Sequence, residues 1–241
     1  MAPAHLAVPV VLLAVMASAR SPGWREDFDG FKEEYAYESQ VLPAPWKNAV
    51  SMVAHKGIGY EGTAGVHAPG RGWGYGHACR PIPDTPRVGD TLVTRVHLPA
   101  GLSWRQVKLA LTTEESPNES GDLPKGPKAE LYVTNSTRDD QEGTFSYWTF
   151  SVSDSAGKSL GSIGSGGPIG VWYDVRFTLA ENRSIIAEFK RVEMSYWVPI
   201  GVLTAAEDFH PRYVAISSSR GGVLDDVRFV TAADPGKPFA R

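Results

Sequence analysis

The sequence predicts an all-β protein, an antiparallel two-sheet β-sandwich with few or no helices. Three observations carry this reading. Short stretches alternate apolar and polar residues with period two, turn-forming clusters separate them, and no long segment has a helical period. The 25 Gly and 18 Pro among 241 residues amount to about 18% of the chain, against roughly 12% in an average protein, which argues against a helical bundle.

In chain order, residues 1–19 contain no Asp, Glu, Lys or Arg, and their apolar run over 6–15 ends in Ala17-Ser18-Ala19. That small-x-small ending reads as a secretory signal peptide cleaved after Ala19, which would deliver the chain to an extracellular or periplasmic space. The run is about half the length a membrane span needs, so no lasting anchor is expected. Residues 20–231 are expected to form one sandwich domain, and 232–241, polar with two prolines, a flexible tail. Strands are expected at 91–98, 107–112, 129–135, 145–153, 171–179, 185–192, 213–217 and 223–230, each rich in Val, Ile, Thr and aromatics. Turns are expected at 99–101, 117–126, 139–143, 154–157 and 164–168. Only 204–209 and 32–40 suit short helices. The clearest hairpin joins 171–179 to 184–192 through 180–183. In its first arm Val171, Tyr173, Val175, Phe177 and Leu179 share a core face, and Trp172, Asp174, Arg176 and Thr178 share a polar one.

The formal net charge of −3 gives no electrostatic reason to expect nucleic acid or an anionic membrane as partner. Cys79 is the only cysteine, so no internal disulfide forms, and it reads as a small buried apolar side chain. Three glycosylation sequons begin at Asn118, Asn135 and Asn182.

Three phrases carry a family resemblance: Trp24-Arg25-Glu26-Asp27-Phe28-Asp29-Gly30, Gly170-Val171-Trp172-Tyr173-Asp174-Val175-Arg176-Phe177, and Gly222-Val223-Leu224-Asp225-Asp226-Val227-Arg228-Phe229. In this order the chain resembles the concanavalin A-like lectin/glucanase superfamily, in particular its laminin-G-like bacterial jelly rolls. The resemblance implies two curved sheets packed face to face, first and last strands adjacent, and a concave sheet that forms a groove for a polysaccharide. Candidates for that groove are Arg95, His97, Lys108, Glu130, Tyr132, Trp148, Trp172, Asp174, Arg176, Glu188 and Lys190.

A saccharide site needs flat aromatic platforms beside groups that hydrogen-bond in the plane of the ring. Trp148 and Trp172 are the expected platforms. Arg95, His97, Arg176 and Lys190 are the expected polar contacts, and Trp73 stands in a glycine-rich loop flanked by His67 and His77. Carbohydrate binding is therefore the first expectation. A polysaccharide-degrading enzyme, lyase or hydrolase, on the same sheet is the second, and an adhesion or matrix module the third. A glycosidase needs two carboxyl groups roughly 5–9.5 Å apart. The superfamily's Glu-x-Asp-x-x-Glu strand is not present, so a pair would come from different strands, such as Glu130 with Asp174 or Glu188. A lyase needs a cationic group and a proton-abstracting side chain, for which Arg95, His97, Lys108, Tyr132, Arg176 and Lys190 are candidates. The resemblance also suggests a structural Ca²⁺ where the terminal strands meet, with Asp27, Asp29 and Asp226 as ligands. The two histidines lack a third ligand at zinc spacing.

Overall fold

The computed structural model describes residues 23–30, 42, 44–68, 75–100, 105–116, 123–135, 145–232 and 239. The leader, the 32–40 stretch, Trp73 and Asn118 lie outside them. Among the described residues there are fifteen strands: β1 (Trp24–Glu26), β2 (Lys47–Val50), β3 (Val53–Lys56), β4 (Ala64–His67), β5 (Tyr75–Pro81), β6 (Thr91–His97), β7 (Gln106–Thr112), β8 (Lys128–Thr134), β9 (Phe145–Ser153), β10 (Ser159–Pro168), β11 (Trp172–Leu179), β12 (Ser184–Arg191), β13 (Val198–Thr204), β14 (Tyr213–Ser219) and β15 (Val223–Val230). The sole helical turn among them is a 3-10 turn at Tyr60–Gly62. The helix expected at 204–209 does not form: Thr204 ends β13, and the residues after it run through a turn.

The first sheet runs β13-β12-β11-β6-β15-β4-β3, with β1 added on β15; the second runs β10-β9-β8-β7-β14-β5-β2. Every pairing is antiparallel. First and last strands are adjacent, with Trp24 opposite Phe229. The last two strands both enter the middle of a sheet, β14 between β7 and β5 and β15 between β6 and β4.

Period-two alternation places the core between the sheets. On β11, Tyr173, Val175, Phe177 and Leu179 point inward against Trp148, Phe150 and Val152 of β9 and Leu109 and Leu111 of β7. Each such side chain, fully buried, stabilises the fold by about 2 kcal/mol. The β11–β12 hairpin closes through Asn182 and Arg183, both left-handed at φ 55° and 58°, with Ala180 donating to Ser184 O at 2.8 Å. The 154–157 turn is held by Asp154, whose Oδ1 accepts from the amides of Ala156 and Lys158.

One expectation is corrected. Residues 164–168 are not a turn but the end of β10, a nine-register partner of β9 whose glycines permit close approach. A Cβ on Gly161 would stand 3.0 Å from Leu203 of β13, and one on Gly201 of β13 would run 3.1 Å from Ile163 Cγ2. Here the edges of the two sheets meet and close one side of the sandwich. Near the C-terminus Phe239 is buried, donates its amide to Pro86 O at 3.1 Å and meets Phe209 edge to face at 6.1 Å.

Candidate functional site

The positions that alternate with the core form one outer face on each sheet, and the candidates divide between them. On the first sheet, strand register brings together Arg95 and His97 of β6, Trp172, Asp174 and Arg176 of β11, and Glu188 and Lys190 of β12. Asp174 faces Arg95 at 3.2 Å and Lys190 at 3.5 Å. Arg176 holds Glu188 at 2.6 Å and lies over the Trp197 ring at 4.1 Å. Trp172 stacks on His97 with ring centroids 4.9 Å apart, and Tyr60 meets it edge-on at 6.0 Å. Burial, then a backbone contact and Arg105, act on His97, and burial prevails in holding its pKa below the usual histidine value.

Tyr60 reaches this face because the loop before β4 folds over it. Asp225 Oδ2 accepts from the Tyr60 amide at 3.0 Å and from Thr63 Oγ1 at 3.1 Å, while its Oδ1 accepts from the Asp226 amide at 2.6 Å. Asp226, left-handed at φ 49°, forms a bulge and turns its carboxylate to Arg25 at 2.6 Å, Arg228 at 3.5 Å and Arg95 at 4.0 Å. Asp29 Oδ1 accepts from the Ala64 amide at 2.7 Å, and Asp27 Oδ1 from the Asp29 amide at 3.3 Å. Asp226 does not fit as a ligand of the expected Ca²⁺. A carboxylate clamped by three guanidinium groups is already charge-compensated, and the cations beside it would repel a metal.

On the second sheet, Tyr132 and Glu130 of β8 share the outer face with Lys108 of β7. Register extends their rows: His77–Ser217–Lys108–Tyr132–Thr149–Gly164 and Cys79–Ala215–Ala110–Glu130–Ser151–Ser162. Toward β5 this face is covered. Leu123 packs onto Cys79, Ala110 and Ala215, and burial pushes the Cys79 thiol up. Toward β10 it opens. Tyr132, Thr149 and Ser151 are half-buried, and Phe145 and Tyr147 are 46% and 52% exposed with rings 5.8 Å apart. Gly166 stands opposite Tyr147 and Gly164 opposite Thr149, so no side chains crowd the aromatics from the edge strand. Behind them Glu130 is held by Lys128 at 2.8 Å and Lys108 at 4.0 Å, and Lys108 lies 5.3 Å from the Tyr132 ring.

Phe145 and Tyr147 were not among the sequence candidates, although period two along β9 puts them on the polar face with Thr149 and Ser151. The same alternation corrects Trp148. It points into the core with Phe150 and Val152, its indole donating to Ser146 Oγ at 2.7 Å and its ring 4.8 Å from Tyr173, so it offers no platform to solvent. The carboxylate pair expected from Glu130 with Asp174 or Glu188 is also corrected, because Glu130 belongs to one outer face and the other two to the opposite one. His67 and His77 are separated in the same way. Asn135 is buried, with its side-chain oxygen accepting from the Arg105 amide at 2.7 Å, which is poor geometry for glycosylation.

Neither a protein-family model nor a curated protein sequence matches the chain. Solved structures do. The exoplasmic/lumenal domain of VIP36 in its Ca²⁺/Man3GlcNAc-bound form is 12% identical, with 85% of this chain and 92% of that one covered at TM-score 0.54. Winged bean acidic lectin, complexed with methyl-α-D-galactose, is 8% identical over 87% of this chain and 98% of that one at TM-score 0.51. The CBM2 module of the evolved Dit of Lactobacillus casei BL23 phage J-1 is 11% identical over 88% and 97% at TM-score 0.50.

Proposed function

From a concanavalin A-like lectin fold whose second sheet turns exposed aromatics beside hydroxyls, we propose that the chain binds a glycan without cleaving it, on the outer face over β8, β9 and β10. The observation that carries this is the exposed Phe145–Tyr147 pair, in line with Tyr132, Thr149 and Ser151 and bordered by the glycines of β10. Large exposed aromatics on a polar face are costly unless something covers them. A sugar ring does so with its C–H face while its hydroxyls meet Thr149, Ser151 and Ser162. Lys108, Lys128 and Glu130 form the charged backing of the site, not an acid–base pair, since Glu130 is the one carboxylate in these rows among the described residues. The apolar leader supports export, so the mature protein is expected to begin at Arg20 and to meet polysaccharide outside the cytoplasm. Among the described residues no helix is long and apolar enough to cross a membrane.

The test is retention of the purified protein on a panel of neutral and acidic polysaccharides, with reducing ends and unsaturated uronate products measured in parallel. Retention without either product, lost in Tyr147→Ala, is expected. Unsaturated products would instead favour a lyase working through Tyr132 and Lys108, and retention unchanged by Tyr147→Ala would move the site elsewhere.

A further inference from the structure

On the outer face of the first sheet, four cations share two carboxylates. Asp226 is met by Arg25, Arg228 and Arg95, and Asp174 by Arg95 and Lys190. The third carboxylate of this strip, Asp225, spends its oxygens on the Tyr60 and Asp226 amides and the Thr63 hydroxyl. The two charge layers also differ in depth. The Asp226 and Asp174 side chains are 4% and 8% exposed, whereas those of Arg25, Arg228, Arg95 and Lys190 are 59%, 33%, 25% and 19% exposed. Negative charge is therefore the floor and positive charge the surface, and even with Asp225 counted the four cations outnumber the three carboxylates of the strip.

The backbone makes this arrangement harder to dismiss as incidental ion pairing. Arg25 and Arg228 stand directly opposite each other across β1 and β15, a like-charge pairing that disfavours the sheet. The one carboxylate between them is delivered from a left-handed, non-glycine bulge, a conformation that persists only where its surroundings hold it. Beside the strip, Arg95 lies over the Tyr60 ring at 4.7 Å, and Tyr60 leads to Trp172. Guanidinium groups present planar pairs of donors that match the oxygens of a carboxylate or sulfate.

We propose that Arg25, Arg228 and Arg95 form an oxyanion-binding strip for an acidic polysaccharide, engaging its sulfate esters or uronate carboxylates, with Tyr60 and Trp172 as the apolar flank. It is a second site on the face opposite the glycan surface described above, and it holds whether or not that surface binds sugar. An acidic polymer can engage several of these cations at once, and its affinity falls with salt as counterions compete.

The test titrates the full chain with dextran sulfate, polygalacturonate, unsulfated dextran and phosphatidylglycerol vesicles at about 0.05 M and about 0.2 M salt. Binding of at least one of the two acidic polysaccharides, steeply weakened by salt, is expected, and which of them binds identifies the oxyanion. Arg25→Gln with Arg228→Gln should weaken that binding about tenfold and lower the log–log salt slope by about two, by analogy with phosphate contacts on nucleic acid. Arg25→Lys should keep the slope, and the neutral-glycan behaviour that Tyr147→Ala tests should not change. If the double variant does not fold, Arg25→Gln alone should lower the slope by about one. Failure of both acidic polysaccharides to bind at the lower salt, affinity indifferent to the arginine substitutions, or vesicle binding as tight as polysaccharide binding would each overturn the proposal.

Discussion

Acid should destabilise this protein through one histidine in particular. His67, on β4, meets the His55 ring edge-on at 6.1 Å, and burial, reinforced by the nearby His55, lowers its pKa to about 4. In the unfolded chain the same imidazole takes up a proton near the ordinary histidine value of 6.5. Between those two values the unfolded state binds a proton that the folded state refuses. The stability contribution is therefore complete above pH 6.5 and is lost as pH falls toward 4. Two and a half pH units at 1.36 kcal/mol each set a ceiling of about 3.4 kcal/mol; because water partly reaches the ring, about 2 kcal/mol is the working figure. The assay is urea denaturation from pH 7 to pH 4 for the wild type and for His67→Phe, which packs a similar ring and cannot titrate. His97, with the same sign, and Asp225, whose carboxyl burial pushes up and whose sign is opposite, contribute to both proteins and cancel in the difference. The wild type should lose about 2 kcal/mol more than the variant. Parallel profiles would refute the reasoning.

Three further outcomes are expected. Trp148→Ala should cost about 3–5 kcal/mol in chemical denaturation, the price of a large core cavity, while the folded fraction keeps its glycan retention. Asp225→Ala removes the acceptor for the Tyr60 and Asp226 amides and the Thr63 hydroxyl; stability should fall by about 1–3 kcal/mol, with amide exchange at Tyr60 accelerated and that of β11 unchanged. Gly166→Ala would put a Cβ 2.6 Å from Ser146 O and into the Phe145 ring, so β10 must shift away from β9. It should weaken glycan retention and lower stability by about 1–3 kcal/mol in a thermal melt.

The sandwich was legible wherever one face of a strand is apolar. On β11 the alternation of Tyr173, Val175, Phe177 and Leu179 with polar neighbours has one reading, and the structure agrees with it. The inward side of Trp148 follows from the same alternation, since it shares its side of β9 with Phe150 and Val152, and the opposite side then falls to Phe145 and Tyr147. β10 was not legible, because Ser and Gly at most of its positions carry the composition of a turn. What makes it a strand is its register with β9 and the approach of Leu203 and Phe145 to its glycines. Nor could any single-strand pattern reveal that Glu130 and Asp174 lie on opposite outer faces. That depends on β8 pairing with β7 and β11 with β6, which are facts of long-range topology.

The central placement of the last two strands has a consequence for how the molecule is made. Until β14 and β15 emerge, β7 and β5 in one sheet, and β6 and β4 in the other, lack the neighbour that joins them. A nascent chain therefore exists as separate partial sheets whose inner edges have unpaired backbone groups, and such edges invite pairing with other chains. Completion of both sheets must wait for these last two strands. The last two strands insert one into each sheet, and β1, made at the start of synthesis, docks on β15 across some two hundred residues of sequence. Folding of this topology is slow relative to a protein of local contacts. A chain cut before Tyr213 would not be a smaller version of the domain but a set of partial sheets, two from each layer, with open edges prone to aggregate.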